Sequence, residues 1–203
     1  MSYYWGVKDT SVNFCEEAYK ESKYIAEYYN TLSGAFYIIV GLPFLNSKIN
    51  NIALASIFLG VGTMLLHMTQ RKYGQILDES AMICLCYSIL CKTRKIYKKK
   101  YITPLLIFYF LNHDNFIIFF ILFTIIILLI TFESLKLEEN PKNKVYRNIF
   151  ISNMIIGLIC WLLDQLCCKY IQEYQLHAIW HMTTGISIYS GLSILQGRIF
   201  LIS

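Results

Sequence analysis

Charge is scarce in this chain. Only 15% of its 203 residues are Asp, Glu, Lys or Arg, against about 25% in an ordinary soluble domain, and hydrophobic residues rise to 56%. The run IIFFILFTIIILLITF (117–132) carries no charge and is too long for a buried strand. Such blocks exclude a soluble globule and point to helices in lipid, which need roughly 20 mostly apolar residues each. The first thirty residues lack a basic stretch followed by an apolar core, so no cleavable signal peptide is expected. No repeat, Gly/Ser linker or low-complexity tract divides the chain. Seven cysteines are present but no CxxC pair, which argues against a cysteine metal site.

What is present is a series of apolar segments, at 31–47, 51–68, 76–91, 101–112, 116–133, 147–166 and 177–196. They predict an all-α polytopic membrane protein: a luminal N-terminal segment (1–30) followed by a seven-transmembrane helix bundle (31–203). Placing alternate ends on opposite sides puts twelve Lys/Arg and three acids on one side, six Lys/Arg and ten acids on the other. Lys and Arg stay cytoplasmic, so the C-terminus is expected in the cytosol and the N-terminus in the lumen. An even number of spans would spoil that division. The basic run KTRKIYKKK (92–100) reads as a topology signal with affinity for anionic lipid, not as a nucleic-acid site.

Three of the four histidines fall at membrane depth. His67 lies late in the second span, and His177 and His181 lie early in the seventh. The expected topology brings all three to one leaflet, together with Asp78 at the start of the third span. His177 and His181 are four apart and share a helical face, as do Thr63 and His67. Three imidazoles suit zinc with an open fourth position, and zinc lowers the pKa of a bound water to about 7. Asp78 is the candidate base for that water, and Thr63 a candidate donor to a developing oxyanion. Each residue also has a plain interpretation: a histidine at the interface, an acid at a helix start, a threonine bonded back to its own helix. His113, in the loop NHDN, has no matching partner and reads as a surface residue.

The blocks YYWG (3–6), NFCEEAY (13–19), YIAEYYNTLS (24–33), HMTQRKYGQILDE (67–79), WLLDQLCC (161–168) and HAIWHMTTG (177–185), in this order, resemble those of the alkaline ceramidases, seven-span zinc amidases. The resemblance covers nearly the whole chain. It implies zinc ligands at His67, His177 and His181, a catalytic acid at Asp78, and Thr63 where the family usually has Ser. It implies hydrolysis of ceramide to a sphingoid base and a fatty acid. It also implies a calcium site at Asn13, Phe14 (through its carbonyl), Glu16, Ala18 and Glu27. Two of those positions depart from the pattern: Asn13 stands for Asp, and Ala18 stands for Asn and offers no side-chain oxygen. Since calcium takes six to eight oxygens, a weakened site is expected. Finally, the resemblance implies a disulfide between Cys15 and Cys168, on the side where oxidation is allowed.

The function expected is therefore zinc-dependent cleavage of the ceramide amide inside the membrane, in the endoplasmic reticulum or Golgi, with a membrane lipid as substrate and no nucleic acid or obligatory protein partner. Trp161 and Asp164 are expected to shape the pocket. Two alternatives share the site: a related hydrolase of another lipid amide or ester, and a zinc-containing lipid-binding receptor without turnover. A channel is disfavoured because the cytosolic halves of the spans are nearly bare of polar residues.

Overall fold

A computed structural model describes residues 4–94, 98–136 and 141–202. Part of the basic run (95–97) and part of the connection before the sixth span (137–140) lie outside the described residues, as does Tyr3 of the first motif. The elements are α1 (Tyr28–Gly41), α2 (Asn50–Thr69), α3 (Lys72–Thr93), α4 (Ile102–Leu111), α5 (Phe116–Leu135), α6 (Pro141–Leu166), α7 (Cys168–Ile171) and α8 (Leu176–Ile202), with no strand among the described residues.

Four of these, α2, α3, α5 and α6, are long and apolar enough to cross a membrane. α1 has 14 residues and α4 has 10. α1 ends sooner than its apolar segment: Pro43 has no backbone N–H to continue the helical hydrogen bonds, and the chain goes on as a single 3-10 turn. α6 starts six residues earlier than its apolar segment, at Pro141, and proline is suited to the first helical position. α8 has 27 residues, but its two histidines and its hydroxyls dilute its apolar character. The small helix α7, inside the connection after α6, was not anticipated.

The distribution of polarity is inverted relative to a soluble protein. Exposed side chains on α5 include Ile117, Ile121, Ile125, Leu128 and Phe132, spaced three or four apart on one face, and α6 exposes Ile155, Ile159, Leu162 and Leu166. The buried set includes Ser56, Gln75, Glu79, Asp164, Ser187 and Ser190. Apolar faces turned outward around a polar interior are what lipid demands and what water penalises. The chain is an integral membrane protein.

α8 packs between α1 and α6; α1 lies on α2, α2 on α3 and α3 on α5, while α5 and α6 touch little. The α2–α3 contact depends on two glycines. A Cβ at Gly62 would meet the backbone of Asp78 at 2.9 Å, and one at Gly74 would meet the backbone of Leu66 at 2.8 Å. α4 stands apart on α3, with Tyr109 its only buried residue. Between α2 and α3 the chain reverses through Gln70, whose φ of 51° is left-handed.

The N-terminal segment closes one end of this bundle. Its backbone bonds to the end of α2 through Ala26 N–H to Met68 O (2.9 Å) and Glu27 N–H to His67 O (3.0 Å). Ser11 and Gln75 exchange two hydrogen bonds, 2.8 and 2.6 Å, and Cys15 is joined to Cys168 at the start of α7, Cα atoms 5.2 Å apart.

Candidate metal centre and catalytic cavity

His67 sits in the last turn of α2, and His177 and His181 in the first turns of α8. Packing α1 between these two helices brings the three rings together. Their candidate ligand atoms lie within 4.8 Å of one another, and all three side chains are buried. Ring centroids are 5.0 Å apart for His67 with His177 and with His181, and 4.6 Å for His177 with His181.

Two of the rings are hydrogen-bonded through Nδ1, and the third faces a carboxylate. His67 Nδ1–H donates to Glu27 Oε2 at 2.5 Å. His181 Nδ1 is 2.7 Å from the Ser33 hydroxyl, which itself donates to the Asn30 carbonyl at 3.0 Å, so the imidazole is the donor. His177 Nδ1 faces Asp164 Oδ2 at 3.9 Å and has no hydrogen bond. Partners of this kind fix the tautomer and leave Nε2 free as the ligand nitrogen. With Nδ1 held by an acceptor in His67 and His181, Nε2 is left as their ligand nitrogen, and three imidazoles so gathered fit a first-row transition metal.

Asp78 stands beside this cluster and outside it. The Thr63 hydroxyl is 2.5 Å from Asp78 Oδ1 and 2.9 Å from Leu59 O; its single hydrogen serves one of them at a time. Thr63, Asp78 and the three histidines line one cavity of about 260 Å³, which continues between α5 and α6 past Phe120 and Trp161. Trp161 stacks on Phe120 with centroids 4.9 Å apart and planes 11° from parallel. His113 remains at the α4–α5 turn, bonded to Phe110 O at 2.9 Å.

The positions expected to hold calcium are engaged by protein groups. Asn13 is exposed, and its carbonyl accepts from Gln165 Nε2 at 3.0 Å. The Phe14 ring packs on His67 and His177, centroids 4.6 and 4.3 Å away. Both oxygens of Glu16 accept backbone N–H groups at the start of α1, from Tyr29 at 2.8 Å and Asn30 at 2.9 Å. Burial pushes this carboxyl above its ordinary range, and those two bonds pull it back. Ala18 offers no oxygen. Glu27 is turned to His67 and also accepts from Gln70 Nε2 (2.6 Å) and Asn30 Nδ2 (3.1 Å). Protein donors thus already engage the carboxylates of Glu16 and Glu27, while Asn30 Oδ1, on the residue bonded to both, has no hydrogen-bond partner.

Sequence reasoning missed Ser33, Asn30 and Gln70. A signal existed: Glu27, Asn30 and Ser33 recur every three residues along one side of an otherwise apolar helix. A second unforeseen network joins Glu79, buried in α3, to Gln75 Nε2 and to the Tyr109 hydroxyl, each at 2.7 Å. It is what pins α4 to the bundle.

An all-helical integral membrane protein with three buried histidines poised for a metal and a carboxylate at their side is a narrow class. The chain belongs to the ceramidase family, whose model matches residues 6–198. It is similar to the alkaline ceramidase of Arabidopsis thaliana, 26% identical over 216 residues that cover 93% of this chain and 84% of the plant protein. It is also similar to alkaline ceramidase 1 of Mus musculus (24% identical, 95% and 81% covered) and to alkaline ceramidase 3 of Mus musculus (25% identical, 92% and 82% covered).

Proposed function

We propose that this chain hydrolyses the amide bond of ceramide, releasing a sphingoid base and a free fatty acid. The observation that carries the proposal is the shared cavity: Asp78, Thr63, His67, His177 and His181 line the same space, and relatives aligned over nearly the whole chain are named ceramidases. His67, His177 and His181 would hold zinc, the ion best matched to three imidazoles. Zinc supplies Lewis acidity, which acidifies water and polarises a carbonyl. Asp78 accepts the proton of the attacking water and delivers it to the departing amine nitrogen. Thr63, 2.5 Å from Asp78, orients that carboxylate in this scheme and is a positioning residue. The aromatic wall of Phe120 and Trp161 excludes water from the acyl side.

Membrane topology follows the same line. α1 with its 3-10 turn, α4 and α8 complete four longer spans to give seven, with the N-terminal segment in the lumen and the Lys/Arg-rich connections in the cytosol. The compartment proposed is the endoplasmic reticulum or Golgi.

The test is purified protein in lipid nanodiscs, with zinc content and ceramide turnover measured on the same sample. His181→Ala should lose both. Asp78→Asn should keep the metal and lose turnover. Full activity in His181→Ala, or hydrolysis of a glycerolipid but no ceramide, overturns the proposal; zinc without any turnover would favour a receptor.

A further inference from the structure

α4 has 10 residues, and none of them lines the catalytic cavity. Tyr109 is its one buried residue. Ile107, Phe108, Phe110 and Leu111 turn outward. What α4 does for the bundle therefore passes largely through one side chain. The Tyr109 hydroxyl donates to Glu79 Oε2 at 2.7 Å.

Glu79 directly follows Asp78, the proposed catalytic acid, and both line the cavity. Glu79 Oε1 accepts from Gln75 Nε2 at 2.7 Å, and the same amide nitrogen donates to Ser11 Oγ at 2.6 Å. Gln75 Oε1 accepts the Ser11 N–H at 2.8 Å. Lys72 pairs with Asp114, in the α4–α5 turn, at 2.6 Å. Lys72, Gln75 and Glu79 follow one another at spacings of three and four and share one face of α3. That face is a strut, with the N-terminal segment at one end, α4 at the other and a carboxylate between them. An apolar contact would fix no angle. Two hydrogen bonds to one carboxylate fix direction as well as distance.

Asp78 lies about 100° further round the helix. On that side Gly62 admits the α2 backbone against it, which sets how close α3 stands but not its rotation about its own axis. Side chains reach about 5–6 Å from a helix axis, so a rotation of about 10° carries a carboxylate about 1 Å. An error of about 1 Å in a reacting group can cost about 100-fold in rate. The strut opposes that rotation.

We propose that Tyr109 and Glu79 are positioning residues: through the strut they set the rotation of α3 and so aim the Asp78 carboxylate at the attacking water and the departing nitrogen. The inference rests on the ceramide-hydrolase reading. Neither residue takes or gives a proton in the reaction.

The experiment uses the full chain in lipid nanodiscs. Ceramide kcat and KM, zinc content and melting temperature are measured for each variant, with kinetics well below melting. Tyr109→Phe removes one oxygen and keeps the ring beside Phe119, centroids 6.1 Å apart. Its kcat should fall about tenfold, with KM within about twofold and zinc unchanged. Glu79→Leu should fall further, by about 100-fold. Glu79→Gln still accepts from Gln75 and donates to the Tyr109 oxygen, and should keep kcat within about threefold of wild type. If Glu79→Leu does not fold, Tyr109→Phe decides. A lower melting temperature with unchanged kcat in Tyr109→Phe, the mark of a merely structural prop, overturns the proposal. So does parallel loss of kcat and zinc, or a Glu79→Gln as impaired as Glu79→Leu. A wild type that cleaves no ceramide overturns the function itself.

Discussion

Replacing Gly62 by alanine should separate catalysis from metal binding. The added Cβ would sit 2.9 Å from both N and Cα of Asp78 and 3.1 Å from Leu77 C. All are backbone atoms, so no side chain can swing aside. Carbon atoms settle near 3.5–4.0 Å, so α3 must withdraw by roughly 0.6 Å or more at this point. Alanine gains up to about 1 kcal/mol in helix propensity, and overpacking costs about 1–3 kcal/mol, so the net loss of stability is small, about 0–2 kcal/mol. The displaced residue is Asp78 itself, and a 1 Å error in a reacting group can cost about 100-fold in rate. None of the three histidines is on α3, so the metal should stay. Gly74→Ala makes the contrast, because its Cβ strikes the backbone of Leu66, next to His67, and should weaken metal binding as well. Turnover and zinc content are read together with thermal stability. Gly62→Ala with wild-type turnover, or with zinc and activity lost in parallel, would refute the placement of Asp78 against α2.

Two further outcomes follow from contacts around the centre. Glu27→Gln and Asp164→Asn should each weaken zinc affinity by about 10- to 100-fold, measured by competition with a zinc chelator; affinities equal to wild type would remove these carboxylates from the support of His67 and His177. Cys15→Ser should free the N-terminal segment from α7 and lower stability by about 2–4 kcal/mol, and protease should then cut within residues 4–27 under conditions where the wild type resists; equal resistance would show that the hydrogen bonds of that segment suffice.

Much of the centre was legible because it is local. The i, i+4 spacing of His177 and His181 and the position of His67 at a span end need only helix geometry and a topology. The partners on Nδ1 were not legible. Ser33 and Asp164 meet their rings only through the rotation of α1 and α6 about their axes, which apolar spacing leaves loose in a helix that is hydrophobic on most sides. Glu27 was legible as an acid of the N-terminal segment but not as the partner of His67, since that pairing comes from the backbone bond between Glu27 and His67 O. Gly62 and Gly74 illustrate the same limit: a small residue declares its purpose only when the surface it admits is known. Long uniform spans such as α5 were plain in the sequence, whereas α1 and α4 depend on tertiary packing for their ends.

Charge explains why these features belong together. Glu27, Asp78 and Asp164 are buried around three imidazoles, and no Lys or Arg is among the residues lining the cavity. Lys8, half-buried, lies within electrostatic reach of Glu27, and its burial pushes its ammonium pKa down. Acids at membrane depth are expensive without a positive partner, and hydroxyl or amide donors offset only part of that cost. A divalent cation held by His67, His177 and His181, as proposed, would supply the missing charge amid the carboxyl groups. With such an ion bound, carboxylates and cation would stabilise each other, so the packing of α1, α2 and α8 around this point and the chemistry proposed there would share one electrostatic cause.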